Sequence, residues 1–253
     1  MQRKKAIVTG AGTGIGRGIA LTLGEAGFDV AVHYNRSAEG ALEVCEQICR
    51  AGGKAYPIQA DLSTKSGVES LFSQALEKLG HLDLLVNNSG ITKKSDFLET
   101  TEEFFDEMVS VDLKSAYFCV QAAAKAMVHQ GTKGSIVIIT SNNGIQQRPN
   151  LSVYGTLKAG LIKLTRHAAM ELAKYGIRIN CIAPGWTATP RTMTIDETTT
   201  YNTIPLKRWC KPEEIGHMVL FLSSEWAGSV TGNCLIADGG AFLQCDAPEL
   251  YGL

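Results

Sequence analysis

Two side chains that could exchange a proton with a substrate lie about one helical turn apart in this chain. Tyr154 and Lys158 are four residues apart, and Ser141 precedes Tyr154 by thirteen residues. On a helix, residues i and i+4 share a face, so the phenol and the ammonium can point into one pocket. A cation beside a phenol stabilises phenolate and lowers a pKa that starts near 10. A tyrosine tuned in this way can exchange a proton with an alcohol or a carbonyl near neutral pH.

A glycine-rich turn at residues 9–16, Thr-Gly-Ala-Gly-Thr-Gly-Ile-Gly, could cradle the phosphates of a nucleotide. It follows an apolar run at residues 5–9 and opens a predicted helix at residues 15–26. At such a junction the backbone N–H groups and the helix N-terminus face a pyrophosphate. The turn and the three side chains together indicate hydride transfer with a dinucleotide.

The elements that must position these residues alternate along the chain. Continuous apolar runs predict seven strands, at residues 5–9, 29–34, 54–60, 82–87, 134–140, 177–182 and 234–238. Helices are predicted at residues 15–26, 38–50, 68–79, 102–128, 152–175 and 211–222. Strands that are apolar throughout have both faces covered, and the alternation predicts an α/β fold with a doubly wound parallel sheet. We expect one catalytic domain over residues 1–253, in which residues 187–210 form a substrate lid or a plain surface excursion.

Composition limits the class of protein. The 253 residues carry a net charge of −1, which argues against a nucleic-acid partner. No apolar run is long enough for a membrane span, and the N-terminus lacks a signal-peptide pattern, so we expect a cytoplasmic protein and no membrane partner. Seven scattered cysteines without a CxxC motif are typical of reduced thiols, and no metal site is predicted.

The motifs resemble the short-chain dehydrogenase/reductase family over nearly the whole chain. They follow one another in the family's order: the turn at residues 9–16, Asp61, Asn87-Asn-Ser-Gly90, Ser141, Tyr154, Lys158, Asn180, Pro184-Gly185, Thr189 and Asp238-Gly-Gly240. The resemblance implies a Rossmann-type, mostly parallel seven-stranded sheet with helices on both faces, and a homotetramer. The chain is most similar in character to 3-oxoacyl-[acyl-carrier-protein] reductases and to glucose or polyol dehydrogenases.

The resemblance also implies the roles of individual residues. Tyr154 would be the acid and base, Lys158 would bind the nicotinamide ribose and depress the pKa of the tyrosine, and Ser141 would donate a hydrogen bond to the substrate oxygen. The predicted cofactor-binding residues are Gly10, Thr13, Gly14, Ile15, Gly16, Asn35, Arg36, Ser37, Asp61, Leu62, Asn88, Ser89, Gly90, Tyr154, Lys158, Pro184, Gly185, Thr187 and Thr189.

Asp112 departs from the family pattern. The family usually has an asparagine there, as a fourth catalytic residue whose backbone carbonyl holds a water near the lysine. Aspartate keeps that carbonyl but adds a negative charge. Our hypothesis is that the enzyme is active and that Asp112 accepts local hydrogen bonds or supports Lys158 electrostatically. The alternative is that Asp112 is an ordinary helix residue.

The end of the second strand favours NADP(H) over NAD(H). An acidic residue there would bind the 2′-hydroxyl of NAD and repel a 2′-phosphate. Residues 33–37, His-Tyr-Asn-Arg-Ser, contain no carboxylate. Arg36 can pair with a phosphate, and Asn35 and Ser37 can donate hydrogen bonds to it. NAD(H) stays possible, with Arg36 as a solvated surface residue.

The substrate is a small-molecule alcohol or carbonyl compound whose class the sequence leaves open. Amides at Asn143 and Gln146 suit a sugar or a polyol, whereas Trp186 could supply an apolar wall for a 3-oxoacyl group. Recognition of an acyl carrier needs a basic patch, to which Lys93 and Lys94 could contribute. A non-catalytic dinucleotide-binding sensor or scaffold is the alternative from another class, and the intact trio of serine, tyrosine and lysine argues against it.

Overall fold

The computed structural model describes residues 3–243, and its strands form one sheet. The strands are β1 (Lys5–Val8), β2 (Asp29–Tyr34), β3 (Ala55–Gln59), β4 (Leu84–Asn87), β5 (Ser135–Ile139), β6 (Arg178–Pro184) and β7 (Cys234–Ala237). Their spatial order is β3-β2-β1-β4-β5-β6-β7, and every neighbouring pair is parallel. The predicted seven-stranded Rossmann-type sheet is therefore confirmed.

Helices cover both faces of this sheet. They are α1 (Gly14–Glu25), α2 (Ala38–Arg50), α3 (Lys65–Leu79), α4 (Glu102–Met108), α5 (Ser115–Gln130), α6 (Ser152–Leu172) and α7 (Pro212–Ser223). One apolar core lies between the sheet and α1, α2 and α7, and the other between the sheet and α3, α5 and α6. Successive strand residues enter opposite cores, as Leu84 and Leu85 do, because side chains alternate across a strand. Both strand faces are therefore buried, which explains the continuous apolar runs.

The topology creates a crevice at one edge of the sheet. The chain crosses over after β3, so that β4 pairs with β1 and the order of the strands reverses between them. Loops that leave the carboxyl ends of β1 and β4 diverge there, and ligands of open α/β sheets bind at such points. Thr9 ties the two loops together, since its Oγ1 accepts hydrogen bonds from the backbone N–H groups of Asn88 (2.8 Å) and Ser89 (2.9 Å).

The predicted single helix at residues 102–128 is wrong in one respect. The helix α4 continues into a π-helical segment, Val109–Lys114, before α5 begins. A π turn holds an additional residue, so it rotates the side chains that follow and is frequent at functional sites. Asp112 lies in this segment and is fully buried.

Residues 187–210 leave the sheet and return to the same point. A single parallel bridge joins Thr187 to Cys210, and the backbone between them contains a 3₁₀ helix, Glu197–Thr203. Trp209 is buried against this helix, where its Nε1 donates to Thr200 Oγ1 at 2.7 Å. In the described part of the chain, no helix is both long and apolar enough to cross a membrane.

Candidate active site

Ser141 lies two residues beyond the end of β5, where it caps a short 3₁₀ turn, Asn142–Gly144. Its Oγ accepts hydrogen bonds from the backbone N (3.2 Å) and the Nδ2 (3.3 Å) of Asn143. A hydroxyl has two acceptor positions and one proton. Because Asn143 uses the acceptor positions, the Ser141 hydroxyl is left as a hydrogen-bond donor.

Two glycines let this turn pack directly on α6. A Cβ atom on Gly144 would lie 2.8 Å from the carbonyl carbon of Lys158, and one on Gly155 would lie 2.9 Å from the carbonyl oxygen of Asn143. Real Cβ atoms do not approach backbone so closely, so both positions require glycine. The contact brings Ser141 and Tyr154 to the wall of one cavity. Sequence reasoning missed both glycines, although their spacing to the serine and the tyrosine is a usable signal.

The phenol and the ammonium lie together at the start of α6, as their spacing predicts. Lys158 Nζ is 5.3 Å from the centre of the Tyr154 ring. Thr140 Oγ1 donates to the Lys158 carbonyl at 2.8 Å and fixes this turn of the helix against β5. Tyr154 lies in the first turn of α6, where the helix dipole also favours a negative charge.

Asp112 forms a buried ion pair with Lys158. The distance from Lys158 Nζ to Asp112 Oδ1 is 2.7 Å, and both side chains are inaccessible to solvent. Asp112 Oδ2 accepts a hydrogen bond from the backbone N–H of Ile91 at 3.1 Å. Burial acts to lower the pKa of Lys158, but the Asp112 carboxylate and, to a smaller extent, Tyr154 outweigh it, so the pKa is raised. Asp112 thus contacts both Lys158 and the loop after β4.

Gly90 covers this ion pair. A Cβ atom there would lie 2.6 Å from Asp112 Oδ1 and 3.0 Å from Lys158 Nζ. The loop after β4 thus lies directly against both charged groups. An aspartate–lysine pair held this way keeps the ammonium in place below Tyr154.

A cavity of about 630 Å³ occupies the crevice between β1 and β4. Most of the predicted cofactor residues line it: Gly10, Thr13, Gly14, Ile15, Asn35, Arg36, Ser37, Asp61, Leu62, Asn88, Ser89, Gly90, Tyr154, Lys158 and Thr189. Pro184, Gly185 and Thr187 line an adjoining, smaller cavity instead. Gly16 lies behind the wall, because a Cβ atom there would be 2.2 Å from the Gly10 carbonyl oxygen and 2.5 Å from Asn88 Nδ2.

The larger cavity fits the phosphates of a dinucleotide. Gly10 and Gly14 adopt φ angles of +64° and +56°, a conformation that side chains disfavour. The turn therefore folds tightly enough to direct the free N–H groups at the start of α1 into the crevice. Thr13 and Ile15 belong to the same stretch of cavity wall. A pyrophosphate bound here would meet backbone donors and the positive end of the helix.

His33 supports the glycine turn from below. Its Nδ1 accepts a hydrogen bond from Gly10 N (3.0 Å), and its Nε2 is 3.1 Å from the Ala60 carbonyl. The ring must therefore be neutral, with its proton on Nε2. Burial is the main reason that the pKa of His33 is lowered from 6.5, which agrees with a neutral ring. The imidazole of His33 thus joins the glycine turn to the backbone after β3.

Asn35, Arg36 and Ser37 follow β2 and border the larger cavity. Arg36 is exposed, and no carboxylate stands at the end of β2. Asp61 lies across the cavity wall at the end of β3, where hydrogen bonds from Ser63 and, to a lesser extent, the charge of Arg36 lower its pKa.

The smaller cavity, of about 160 Å³, is lined by Ser141 and Tyr154 among others. Asn143 and Trp186 line it, as the sequence predicted for substrate contacts. Gln146 does not line it: its Nε2 donates to Asp238 Oδ2 at 3.3 Å, which also accepts from Asn142. The contact of Gln146 with substrate stays a prediction. Two arginines that sequence reasoning missed, Arg148 and Arg191, complete the wall.

Comparisons with known proteins agree with this geometry. The family model described as enoyl-(acyl carrier protein) reductase matches residues 10–241. A 3-oxoacyl-[acyl-carrier-protein] reductase of Staphylococcus epidermidis is 36% identical over 95% of this chain and 99% of its own length. A 2-dehydro-3-deoxy-D-gluconate 5-dehydrogenase of Escherichia coli is 35% identical over 95% and 96%. A short-chain type dehydrogenase/reductase of Mycobacterium marinum superposes with a TM-score of 0.91 at 34% identity, over 95% of this chain and 96% of its own.

Proposed function

The chain belongs to the short-chain dehydrogenase/reductase family of oxidoreductases, and we propose that it is an NADP(H)-dependent enzyme that interconverts a secondary alcohol and a ketone or aldehyde. One observation carries the proposal. Tyr154 borders both cavities, the larger one together with Lys158 and the smaller one together with Ser141. A proton donor and acceptor thus stands where a dinucleotide in one cavity would meet a substrate in the other.

The mechanism assigns one task to each side chain. When bound, the nicotinamide cofactor supplies or accepts the hydride. Tyr154 gives its phenolic proton to the carbonyl oxygen during reduction and takes it back from the alcohol during oxidation. Ser141 donates a hydrogen bond to the same oxygen, since its acceptor positions are occupied by Asn143. Lys158 places a positive charge beside the phenolate and stabilises it.

Replacing Tyr154 by phenylalanine tests this assignment. Because general acid–base catalysis contributes about 10²- to 10⁴-fold, Tyr154→Phe should lower kcat by about that factor. The dissociation constant for NADPH should change little, because the ring is retained. Initial rates from absorbance at 340 nm and a fluorescence titration give the two quantities. The control is Tyr175→Phe, at the exposed end beyond α6; if both variants keep the wild-type kcat, Tyr154 is not the acid and base.

The preference for NADP(H) rests on the charges at the end of β2. Asn35, Arg36 and Ser37 border the cavity without a carboxylate among them. The guanidinium of Arg36 forms no ion pair with residues 3–243, so it is available to a 2′-phosphate. Arginine recognises phosphate with two parallel hydrogen bonds.

Arg36→Ala should therefore discriminate between the two cofactors. A hydrogen bond to a charged group contributes about 1.5–3 kcal/mol, so the KM for NADPH should rise roughly tenfold or more. The KM for NADH, which lacks the phosphate, should change less than about twofold. Arg50→Ala, at the exposed end of α2, is the matched control and should leave both constants unchanged. A similar rise for both cofactors with Arg36→Ala would refute the assignment.

Asp112 is proposed as a positioning residue that acts through Lys158. Its carboxylate neutralises the ammonium at 2.7 Å and holds it through the contact with Ile91. The phenol of Tyr154 thus faces an ion pair whose positive and negative charges cancel, rather than an isolated ammonium. The proton equilibrium at the substrate oxygen then depends on Asp112, although Asp112 itself does not touch the substrate.

Asp112→Asn should move the pH–rate profile. Without the carboxylate, the ammonium acts on the phenol unopposed and favours phenolate at lower pH. In the direction of alcohol oxidation, which needs phenolate, the midpoint of kcat/KM against pH should fall by about one unit. Asp106→Asn, on the exposed face of α4, should leave the midpoint in place. An unchanged midpoint in Asp112→Asn would show that the charge has no part in catalysis.

Of the two substrate classes, we favour a sugar or polyol over a 3-oxoacyl compound. Lys93 donates to Glu107 Oε1 at 2.6 Å, so its charge is neutralised at the cavity wall and the basic patch for an acyl carrier is weakened. Asn143 Oδ1 is buried at the smaller cavity without a hydrogen-bond partner in residues 3–243. A substrate hydroxyl would satisfy this acceptor. The relatives named above include both classes, a 3-oxoacyl reductase and a dehydrogenase of a sugar acid.

We propose further that the enzyme is a cytoplasmic homotetramer. Large apolar side chains lie exposed on the helices α4, α5 and α6: Phe105 (44%), Tyr117 (49%) and Met170 (72%). Burying them between subunits would remove this apolar surface from water.

Light scattering tests the tetramer. The wild-type protein should have about four times the 27.2 kDa mass of one chain. Met170→Glu should lower the mass, because it would place a charge in the interface. The control is Met193→Glu, at an equally exposed residue of the 187–210 excursion, and it should leave the mass unchanged. A wild-type mass of one chain would exclude the assembly.

A further inference from the structure

The smaller cavity has a marked charge asymmetry. Its wall contains two arginines, Arg148 and Arg191, and neither an aspartate nor a glutamate. The remaining wall residues that face the catalytic serine and tyrosine are neutral. Cationic side chains without a carboxylate in the same wall attract an anion.

The guanidinium of Arg148 lies over a stacked pair of aromatic rings. Its Cζ lies 5.2 Å from the centre of the Trp186 ring, and Trp186 stacks on Trp209 at 5.4 Å with an angle of 10° between the planes. Trp209 is in turn buried and hydrogen-bonded to Thr200. Such a stack orients the guanidinium and leaves its N–H edge free for a ligand in the plane.

The donors of Arg148 are unused within residues 3–243. Two other arginines do use their donors: the partly buried Arg178 donates to the carbonyls of Leu222 and Ser224, and the exposed Arg208 binds both carboxylate oxygens of Glu214. The side chain of Arg148 makes neither an ion pair nor a hydrogen bond in the described chain. Its charge is thus partly removed from water without a bonded counter-ion, which strengthens its attraction for an anion.

Asp238 is the acidic group that acts on Arg148, but its oxygens are already occupied. Oδ2 accepts from the amides of Asn142 and Gln146, and Oδ1 accepts from the Gly240 backbone N–H. Burial lowers the pKa of Arg148, and Asp238 opposes this effect, so the guanidinium keeps its charge. Asp238, which is not part of the cavity wall, therefore stabilises the cation and leaves the hydrogen-bond donors of Arg148 available to a ligand in the cavity.

We propose that the substrate is a hydroxy or keto carboxylate whose carboxylate binds Arg148 while its alcohol or ketone meets Tyr154. The inference rests on the proposed function, because it assigns the second end of the same substrate. A planar carboxylate matches the N–H edge of a guanidinium, and the 160 Å³ cavity suits a compact acid. Arg191 borders both cavities, so its guanidinium can bind a phosphate of the cofactor. Arg148 borders the smaller cavity alone, and we therefore assign to it the specificity for a substrate carboxylate.

Matched pairs of ketones test the carboxylate directly. Pyruvate and 2,3-butanedione, acetoacetate and 2,4-pentanedione, and levulinate and 2,5-hexanedione differ only in an acetyl group that replaces the carboxylate. The wild-type enzyme with NADPH should prefer the acid of at least one pair by about tenfold or more in kcat/KM. In Arg148→Met, kcat/KM for that acid should fall by about thirtyfold, and for its neutral partner by less than about threefold. Arg50→Met, a remote loss of one positive charge, should change neither.

Three results would overturn the proposal: no preference for any acid, equal losses for both members of the preferred pair in Arg148→Met, or the same selective loss in Arg50→Met. If none of the ketones is turned over, binding of the acids to the NADP⁺ complex decides, read from the combined fluorescence of the stacked Trp186 and Trp209 in a Trp226→Phe background. Saturable quenching that Arg148→Met abolishes would retain the carboxylate site and count against the proposed reaction. No quenching by any of the three acids would refute the site itself.

Discussion

The buried pair of Asp112 and Lys158 is the interaction on which the catalytic end of the molecule depends. Removing two charges from water costs several kcal/mol for each ion unless their geometry compensates, so the surrounding chain must hold them closely. Three separate elements do so: the π-helical segment that contains Asp112, the loop after β4 with Gly90 against both charges, and α6 with Lys158. A displacement of any one of these elements would expose or separate the charges. The pair thus couples the helix of Tyr154 to the crevice between β1 and β4.

Close backbone approach is the second constraint, and glycines make it possible. The turn after β5 contacts α6 through Gly144 and Gly155, and the first turn of α1 contacts the preceding loop through Gly16. In each case a Cβ atom would fall within 3 Å of backbone atoms. These contacts use main chain rather than flexible side chains, so the distance between Ser141 and Tyr154 is set by the fold.

Much of the fold and the centre of the site could be predicted from the sequence, because both depend on local signals. Apolar runs and glycine turns predicted the seven strands, and the i, i+4 spacing placed Tyr154 beside Lys158. The features that could not be predicted from the sequence share a physical cause. A π turn adds one residue without disturbing the apolar pattern, so the surroundings of Asp112 could not be read. Gln146 forms a hydrogen bond with Asp238, which lies ninety-two residues further along the chain. Arg148 packs on Trp186, which lies beyond α6 and β6 in the sequence. Such contacts arise only when the sheet brings distant segments together.

The two ends of the site are built from different parts of the fold. The residues proposed for proton transfer are therefore separate from those proposed to select the substrate. The catalytic end rests on β5, α6 and glycine contacts, whereas the substrate end rests on side chains of residues 142–148 and of the excursion that starts after β6. Because Asp112 neutralises Lys158, this lysine contributes little net charge to the smaller cavity. The positive field there comes from Arg148 and Arg191. The arginines can therefore hold an anionic group of the proposed substrate without altering the balance of charge on which the proposed proton transfer by Tyr154 depends.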